Sequence, residues 1–143
     1  MPDATQSRGE TTLTLAFLVA LAATLGALFI GEVLGKMPCT LCWYQRIAMF
    51  PLVVILGVAL WRNDLSARLT ALPLALAGTA VAVWHAGLHA GIIPAAVVPC
   101  TRDGPSCTDA AAQSILDLPI PYLSLAAFAA ILALLPLPKG PRT

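Results

Sequence analysis

The run of residues 11–31 contains no charged side chain, and this feature constrains the fold more than any other. A helix needs about 20 predominantly apolar residues to cross the hydrocarbon core of a bilayer. Glu32 and Lys36 follow the run, and Pro38 interrupts regular helix before Cys39. We therefore predict a membrane-spanning helix. A cleaved signal peptide is the alternative, but its apolar core is usually only about 7–15 residues long.

The composition of the whole chain also indicates a membrane protein. About a quarter of the residues in a soluble domain are charged, whereas 10% are charged here and 59% are hydrophobic. The net charge is +1, and no basic run is present that could bind nucleic acid. We expect membrane lipid around the chain and no nucleic-acid partner.

Three more apolar segments predict an all-α membrane protein, a bundle of four transmembrane helices in a single domain over residues 11–138. The predicted spans cover about residues 11–33, 43–61, 69–89 and 120–137. The proline-containing segment 90–119 is predicted to be one long loop, with a short surface helix over residues 109–116. Polar tails, residues 1–10 and 139–143, flank the domain, and the first is expected to be disordered.

Lysine and arginine positions predict the orientation of the bundle, because these residues are enriched in cytoplasmic loops and tails. Four spans place both termini and the turn at residues 62–68 on one side, with five such residues: Arg8, Arg62, Arg68, Lys139 and Arg142. The other side has Lys36 and Arg102, with Arg46 at a helix end. We therefore expect cytoplasmic termini and extracytoplasmic cysteines, which agrees with the oxidising environment that disulfides require.

Cys39 and Cys42 form a CxxC pair at the start of the second predicted span. Such pairs close into disulfides that are readily reduced and formed again. The helix N-terminus attracts negative charge, and Arg46 lies one turn beyond Cys42 on the same face. Both effects favour a thiolate at Cys42. An inert structural disulfide is the alternative, and covalent haem attachment is excluded because Trp43 stands where C-x-x-C-H requires histidine.

Cys100 and Cys107 lie in the long loop, where they form either a structural staple or a disulfide that exchanges with a soluble partner. Together the two pairs suggest an electron relay by successive thiol–disulfide exchange. A four-cysteine zinc site is disfavoured, because the loop pair lacks the tight spacing of a zinc knuckle.

His85 and His89 are separated by one helical turn in the third predicted span. Histidines in membrane helices usually face the bundle interior or water, so one of them could bind a ligand oxygen or deliver a proton. The alternative is a hydrogen-bonded residue at the interface. A two-histidine metal site lacks an evident third ligand, and we predict no metal.

Residues 38–46 (PCTLCWYQR), followed by Ile47-Ala-Met-Phe-Pro51-Leu, resemble the DsbB/BdbC family of membrane disulfide-formation proteins, and the BdbC branch most closely. The loop cysteines and the sequence Ile120-Pro121-Tyr122-Leu123 are also similar to that branch. The resemblance covers nearly the whole chain in span order. The loop cysteines are much closer in sequence than in the best-known DsbB pattern.

The resemblance implies a four-helix bundle in the bacterial inner (cell) membrane that binds a quinone, menaquinone or ubiquinone. It also implies a soluble partner, a DsbA-like (BdbD-like) thioredoxin-fold protein that this chain reoxidises. Arg46 matches the arginine beside the quinone ring, and His85 falls near the position of a histidine close to the quinone.

The resemblance also implies different roles for the four cysteines. Cys42 would face the quinone as a thiolate, and Cys39 would exchange with the loop pair. Cys100 would be attacked by the partner, and Cys107 would link back toward Cys39.

The sequence thus predicts a thiol:quinone oxidoreductase that supports disulfide bond formation. One alternative is an enzyme similar to vitamin K epoxide reductase, in which the redox pair is expected near the last span rather than before the second. The other is a non-catalytic membrane adaptor with two structural disulfides.

Overall fold

Four helices form the framework of the part of the chain that the structure describes. The computed structural model describes residues 3–94, 105–109 and 114–135. Helix α1 covers Ala4–Leu28 and continues as a π-helical turn, Phe29–Val33. Helix α2 covers Thr40–Arg62, and a 3-10 turn at Leu65–Ala67 leads into helix α3, Arg68–His89. Two short strands, β1 (Ser114–Ile115) and β2 (Leu118–Pro119), precede helix α4, Ile120–Leu134.

The helices are arranged in a ring in which neighbours along the chain are neighbours in space. Helix α1 packs against α2 and α4, and α3 packs against the same two helices. Alanines at positions 16, 20, 48, 59, 71, 75 and 82 form much of the core between them. Small residues allow membrane helices to approach closely, so this core suits a tightly packed bundle.

Three of the described helical segments are long and apolar enough to cross a membrane: Ala4–Val33, Thr40–Arg62 and Leu65–His89. Helix α4 is apolar but shorter, and the last residues of the predicted span 120–137 lie outside the described residues. Large apolar side chains such as Leu18, Val54 and Leu76 point outward from the bundle. The architecture is that of a helical membrane protein.

The expectation of a disordered N-terminal tail is wrong from Ala4 onward. Helix α1 begins there, well before the apolar run. Arg68 at the start of α3 explains the extension, because its guanidinium donates to the carbonyl oxygen of Gly9 and, at 2.9 Å, to Oγ1 of Thr12. The polar start of α1 is therefore held against the turn between α2 and α3.

The predicted surface helix over residues 109–116 is wrong at its C-terminal end. Ser114 and Ile115 form strand β1, which pairs antiparallel with β2. Leu116 and Asp117 have φ of 48° and 64°, the left-handed geometry of a two-residue hairpin turn. Lys36 Nζ donates to the carbonyl oxygen of Ser114 at 2.5 Å and joins the hairpin to the segment between α1 and α2. Residues 110–113 lie outside the described part of the chain.

The contact between α3 and α4 depends on Gly78, because the ring of Phe128 occupies the place of a side chain there. A Cβ atom at position 78 would lie 2.1 Å from Phe128 Cε1, and Phe128 is fully buried. The ring therefore cannot move aside without disturbing the core.

We expect Gly78→Ala to lower the free energy of unfolding by about 1–3 kcal/mol or more, the usual cost of overpacking a core. Gly26→Ala is the matched control on α1, since a Cβ atom there would meet no neighbouring atom within 4 Å. Thermal or denaturant unfolding in detergent measures both. Equal stability of the two variants would contradict the described packing of Phe128.

Candidate redox site

Helix α2 begins at Thr40, three residues before the predicted start of the second span. The CxxC pair lies at this N-terminus of the helix. Cys39 is the N-cap of the helix, and its Sγ accepts a hydrogen bond from the backbone N–H of Cys42 at 3.4 Å. N-cap side chains commonly satisfy the backbone donors of the first turn in this way. The helix start therefore positions the two sulfur atoms next to each other.

The Sγ atoms of Cys39 and Cys42 are 2.9 Å apart, and the pair is a dithiol rather than a disulfide. The hydrogen bond from the Cys42 thiol, followed by smaller contributions from His85, lowers the pKa of Cys39 from 9.0 to about 4 against the opposing effect of burial. The helix N-terminus and the spacing to Arg46 predicted the thiolate at Cys42. The structure favours it at Cys39, because the donors of the first turn and of α3 converge on that sulfur.

His85 and Gln45 extend this hydrogen-bonded group into the bundle. His85 is fully buried on α3, with Nε2 3.9 Å from Cys39 Sγ and Nδ1 3.2 Å from Gln45 Nε2. With Gln45 donating to Nδ1, the imidazole proton is on Nε2, where it faces the Cys39 sulfur. Gln45 was not among the site residues predicted from the sequence. Its spacing of four residues from both Leu41 and Met49, which are buried on α2, was the available signal.

Cys107 lies close to the same end of the bundle. It is disulfide-bonded and 1% exposed. It belongs to one small buried cluster with Cys39, Leu41 and Leu88. Cys100 lies outside the described residues.

A cavity of about 280 Å³ opens beside the CxxC pair, between α1, α2 and α4. Its walls are mainly apolar, and its polar lining residues include Cys42, Gln45 and Arg46. Cys42 is half-buried and borders the cavity, whereas Cys39 is fully buried in the cluster with Cys107. The two sulfur atoms thus belong to different surroundings.

Arg46 lines the same cavity as Cys42, as their spacing of four residues predicted. Its Nη2 donates to the carbonyl oxygen of Ala27 at 2.7 Å, and its guanidinium carbon lies 5.5 Å from the centre of the Trp43 ring. Gly31 leaves room for this arrangement, since a Cβ there would lie 3.0 Å from Arg46 Nη2. The cation is held between α1 and α2 at the cavity wall.

The other histidine of α3 stands apart from this group. The ring of His89 packs edge-on against Tyr122, with the centroids 5.5 Å apart. Within the described residues, the potential metal ligands that lie together are Cys39, Cys42 and His85, whose ligand atoms are all within 4.8 Å of one another. This combination was not predicted from the sequence, in which His85 is more than 40 residues away from both cysteines.

Comparison with known proteins identifies the family of the chain. Residues 9–137 match the family model described as "Disulfide bond formation protein DsbB". The chain belongs to the DsbB family. The resemblance inferred from residues 38–46 is thereby confirmed. No solved structure matches the chain.

Relatives within the DsbB family align over most of both chains. A "Probable disulfide formation protein" of Metapseudomonas resinovorans is 51% identical over 86% of this chain and 85% of its own length. A protein of the same name from Deinococcus radiodurans is 42% identical over 91% and 90%. "Disulfide bond formation protein C" of Bacillus subtilis is 35% identical over 92% and 94%.

The hydrogen bonds at Cys39 predict how its thiolate titrates. In the reduced chain we expect ultraviolet thiolate absorbance to persist below neutral pH and to disappear only near pH 4, as Cys39 becomes protonated. Cys42→Ala removes the largest stabilising contact, so the loss of absorbance should shift toward pH 9.0, the ordinary pKa. His85→Ala should give a smaller upward shift.

His89→Ala is the control for this titration, because His89 contacts Tyr122 rather than Cys39. Its titration should match that of the parent. A parent chain in which all thiolate absorbance is lost near the ordinary pKa would contradict the described hydrogen bonds.

Proposed function

We propose that this chain is a membrane thiol:quinone oxidoreductase that reoxidises a DsbA-like (BdbD-like) thioredoxin-fold protein and so supports disulfide bond formation. The observation that carries the proposal is the division of the CxxC pair. Cys39 lies in a buried cluster with the disulfide-bonded Cys107, and Cys42 borders a cavity that also contains Arg46. Family membership supports an oxidoreductase acting on thiols and disulfides.

We place the protein in the bacterial cell membrane with four spans, cytoplasmic termini and extracytoplasmic cysteines. The ring of four apolar helices supports this topology. The residues at the two ends of α2 also support this topology. Arg62 and Arg68 lie beside the turn between α2 and α3, while Cys39 and Cys42 lie at the opposite end of α2. Arginines favour the cytoplasmic side, and disulfides favour the other.

Exchange between the two cysteine pairs begins when the partner's dithiol reduces the Cys100–Cys107 disulfide. The Cys107 thiolate then attacks Cys39 Sγ of the oxidised CxxC pair, the Cys39–Cys42 bond breaks, and Cys42 leaves as a thiolate beside the cavity. Attack of Cys100 on Cys107 closes the loop disulfide and releases Cys39. A leaving thiol with a low pKa departs faster, and contacts from Cys42 and His85 lower the pKa of Cys39.

The cavity suits a quinone ring, which has apolar faces and carbonyl oxygens that accept hydrogen bonds. Mainly apolar walls such as Ala23, Met49 and Phe128 would enclose the ring, and Arg46 and Gln45 supply N–H donors. A mainly apolar pocket with a few polar groups is typical of small-molecule sites. When bound, the quinone accepts the two electrons released as Cys39 and Cys42 form a disulfide, together with two protons.

The residues of the chain have separate tasks in this last step. Arg46 is a cation at the cavity wall and would hold a quinone oxygen, while its hydrogen bond to Ala27 keeps it in place. Cys42 presents its sulfur to the cavity. His85 is oriented by Gln45 and contacts Cys39 Sγ. This contact favours the Cys39 thiolate, which forms the disulfide with Cys42.

Incubation of the purified chain with a quinone and a reduced thioredoxin-fold protein tests this function, with quinone absorbance as the readout. The parent should consume quinone, and Cys42→Ser should abolish its consumption. Arg46→Ala should lower kcat/KM for quinone about 10- to 100-fold, because a hydrogen bond to a charged group contributes about 1.5–3 kcal/mol. Arg62→Ala, at the other end of α2, is the matched control and should retain full activity.

Two outcomes of that assay would contradict the proposal. If neither quinone nor partner changes redox state and both cysteine pairs resist dithiols, the chain is a membrane adaptor with structural disulfides. If Arg46→Ala and the parent use quinone equally well, Arg46 has no part in quinone binding.

Trapping of the soluble partner tests the order of exchange. In the Cys107→Ser chain, the lone Cys100 thiolate can attack the disulfide of the oxidised partner, and the sulfur that would resolve the resulting mixed disulfide from this chain is missing. The variant incubated with oxidised partner should therefore accumulate a covalent complex through Cys100. Non-reducing electrophoresis and mass spectrometry identify the linkage. Cys100→Ser is the paired variant and should trap no partner, and linkage through any cysteine other than Cys100 would overturn the proposed order.

A further inference from the structure

We propose that the reduced chain binds one Zn²⁺ ion through Cys39 Sγ, Cys42 Sγ and His85 Nε2, and that the bound ion prevents the CxxC pair from closing into a disulfide. The binding itself is independent of quinone chemistry. Its effect on turnover rests on the proposed function. The site would exist in the reduced state alone, because a disulfide provides no thiolate ligands.

The positions of the three ligand atoms fit a zinc ion after small movements. The two Sγ atoms are 2.9 Å apart, and Cys39 Sγ is 3.9 Å from His85 Nε2. Zinc binds thiolate sulfur at about 2.3 Å and imidazole nitrogen at about 2.0–2.1 Å in tetrahedral geometry, so neighbouring ligand atoms lie about 3.5–3.8 Å apart. All three ligand atoms lie within 4.8 Å of one another, so side-chain shifts of about 1 Å complete the ligand set.

Charge and burial favour a divalent ion over a monovalent one. Cys39 and His85 are fully buried, and Cys42 is half-buried. Two thiolates balance the charge of Zn²⁺, so the ion and its ligands are neutral together. Cu⁺ with the same ligands would leave one uncompensated negative charge, which is costly to bury.

Gln45 supports the site as an outer partner of the histidine. A histidine that binds metal through Nε2 has its proton on Nδ1 and usually donates it to a neighbouring acceptor. The side-chain amide of Gln45 lies 3.2 Å from His85 Nδ1. Its nitrogen can donate to Nδ1 in the metal-free state, and its oxygen can accept from Nδ1–H once the amide is rotated. Gln45 can therefore hydrogen-bond to His85 Nδ1 in both tautomers of the ring.

The fourth position of the ion would face the cavity. Of the two sulfur atoms, that of Cys42 borders this space, and a water molecule there would complete tetrahedral coordination. The ion can therefore reach the site from the cavity side.

The test uses a Cys100→Ser/Cys107→Ser chain in detergent, so that Cys39 and Cys42 are its remaining thiols. The reduced chain is titrated with Co²⁺, whose thiolate charge-transfer absorption reports sulfur ligation, and then with competing Zn²⁺. We expect the reduced chain to bind one ion, and we expect bound Zn²⁺ to protect both thiols from an alkylating reagent. After oxidation of the pair, the chain should bind no ion.

Variants test the histidine and its partner. His85→Ala should weaken Zn²⁺ binding by more than about 100-fold, and Gln45→Leu by about 10- to 100-fold, the usual effect of losing an outer partner. His89→Ala, one turn further along α3, is the matched control and should bind as tightly as the parent.

Three results would overturn the zinc site: no sulfur ligation in the reduced chain, equal binding by the oxidised chain, or equal affinity after His85→Ala. The comparison of reduced and oxidised chains needs no variant at position 85, so it remains decisive if His85→Ala fails to fold. Failure of the proposed function is distinguishable. In that case the chain with all four cysteines would reduce no quinone even without zinc, while Co²⁺ binding would be unaffected.

Discussion

His85 is fully buried between α2 and α3, with one ring nitrogen facing Gln45 and the other facing Cys39. A buried imidazole without partners costs free energy, so both nitrogens must be satisfied within the bundle. The contact with Gln45 fixes the register of α3 against α2. The contact with Cys39 joins α3 to the N-terminus of α2. Electrostatic control of the cysteine pair therefore depends on packing between two helices, and not on the CxxC segment alone.

The division of the CxxC pair gives each sulfur a different chemical environment. Cys39 is surrounded by donors and by the cluster that includes Cys107, while Cys42 borders an apolar cavity with a cation in its wall. Three residues of sequence are enough to separate these environments, because the first turn of a helix directs residues at its N-cap and third position to different neighbours. The proposed thiol exchange and the proposed electron transfer to a quinone would then take place on opposite sides of one disulfide.

The sequence predicted those parts of the fold that depend on local composition. Uncharged runs revealed the helices, and the start of α4 at Ile120 follows from the prolines around it. The spacing of Cys42 and Arg46 correctly placed both at one surface. The early start of α1 at Ala4 depends on Arg68, a residue far away in sequence. The thiolate at Cys39 depends first on the Cys42 thiol and, to a smaller extent, on a donor from the distant helix α3. The hairpin turn places Leu116 in a backbone conformation that this residue type does not favour.

Arg46 is anchored by the backbone carbonyl of Ala27, and not by an acidic side chain. Every residue type supplies such a carbonyl, so substitutions at position 27 leave the anchor chemically intact. The π-helical turn that continues α1 must have a residue without a side chain at Gly31, because a methyl group there would contact the guanidinium. The position of the arginine therefore requires little from this helix and the turn that continues it: a backbone carbonyl at position 27 and a residue without a side chain at position 31.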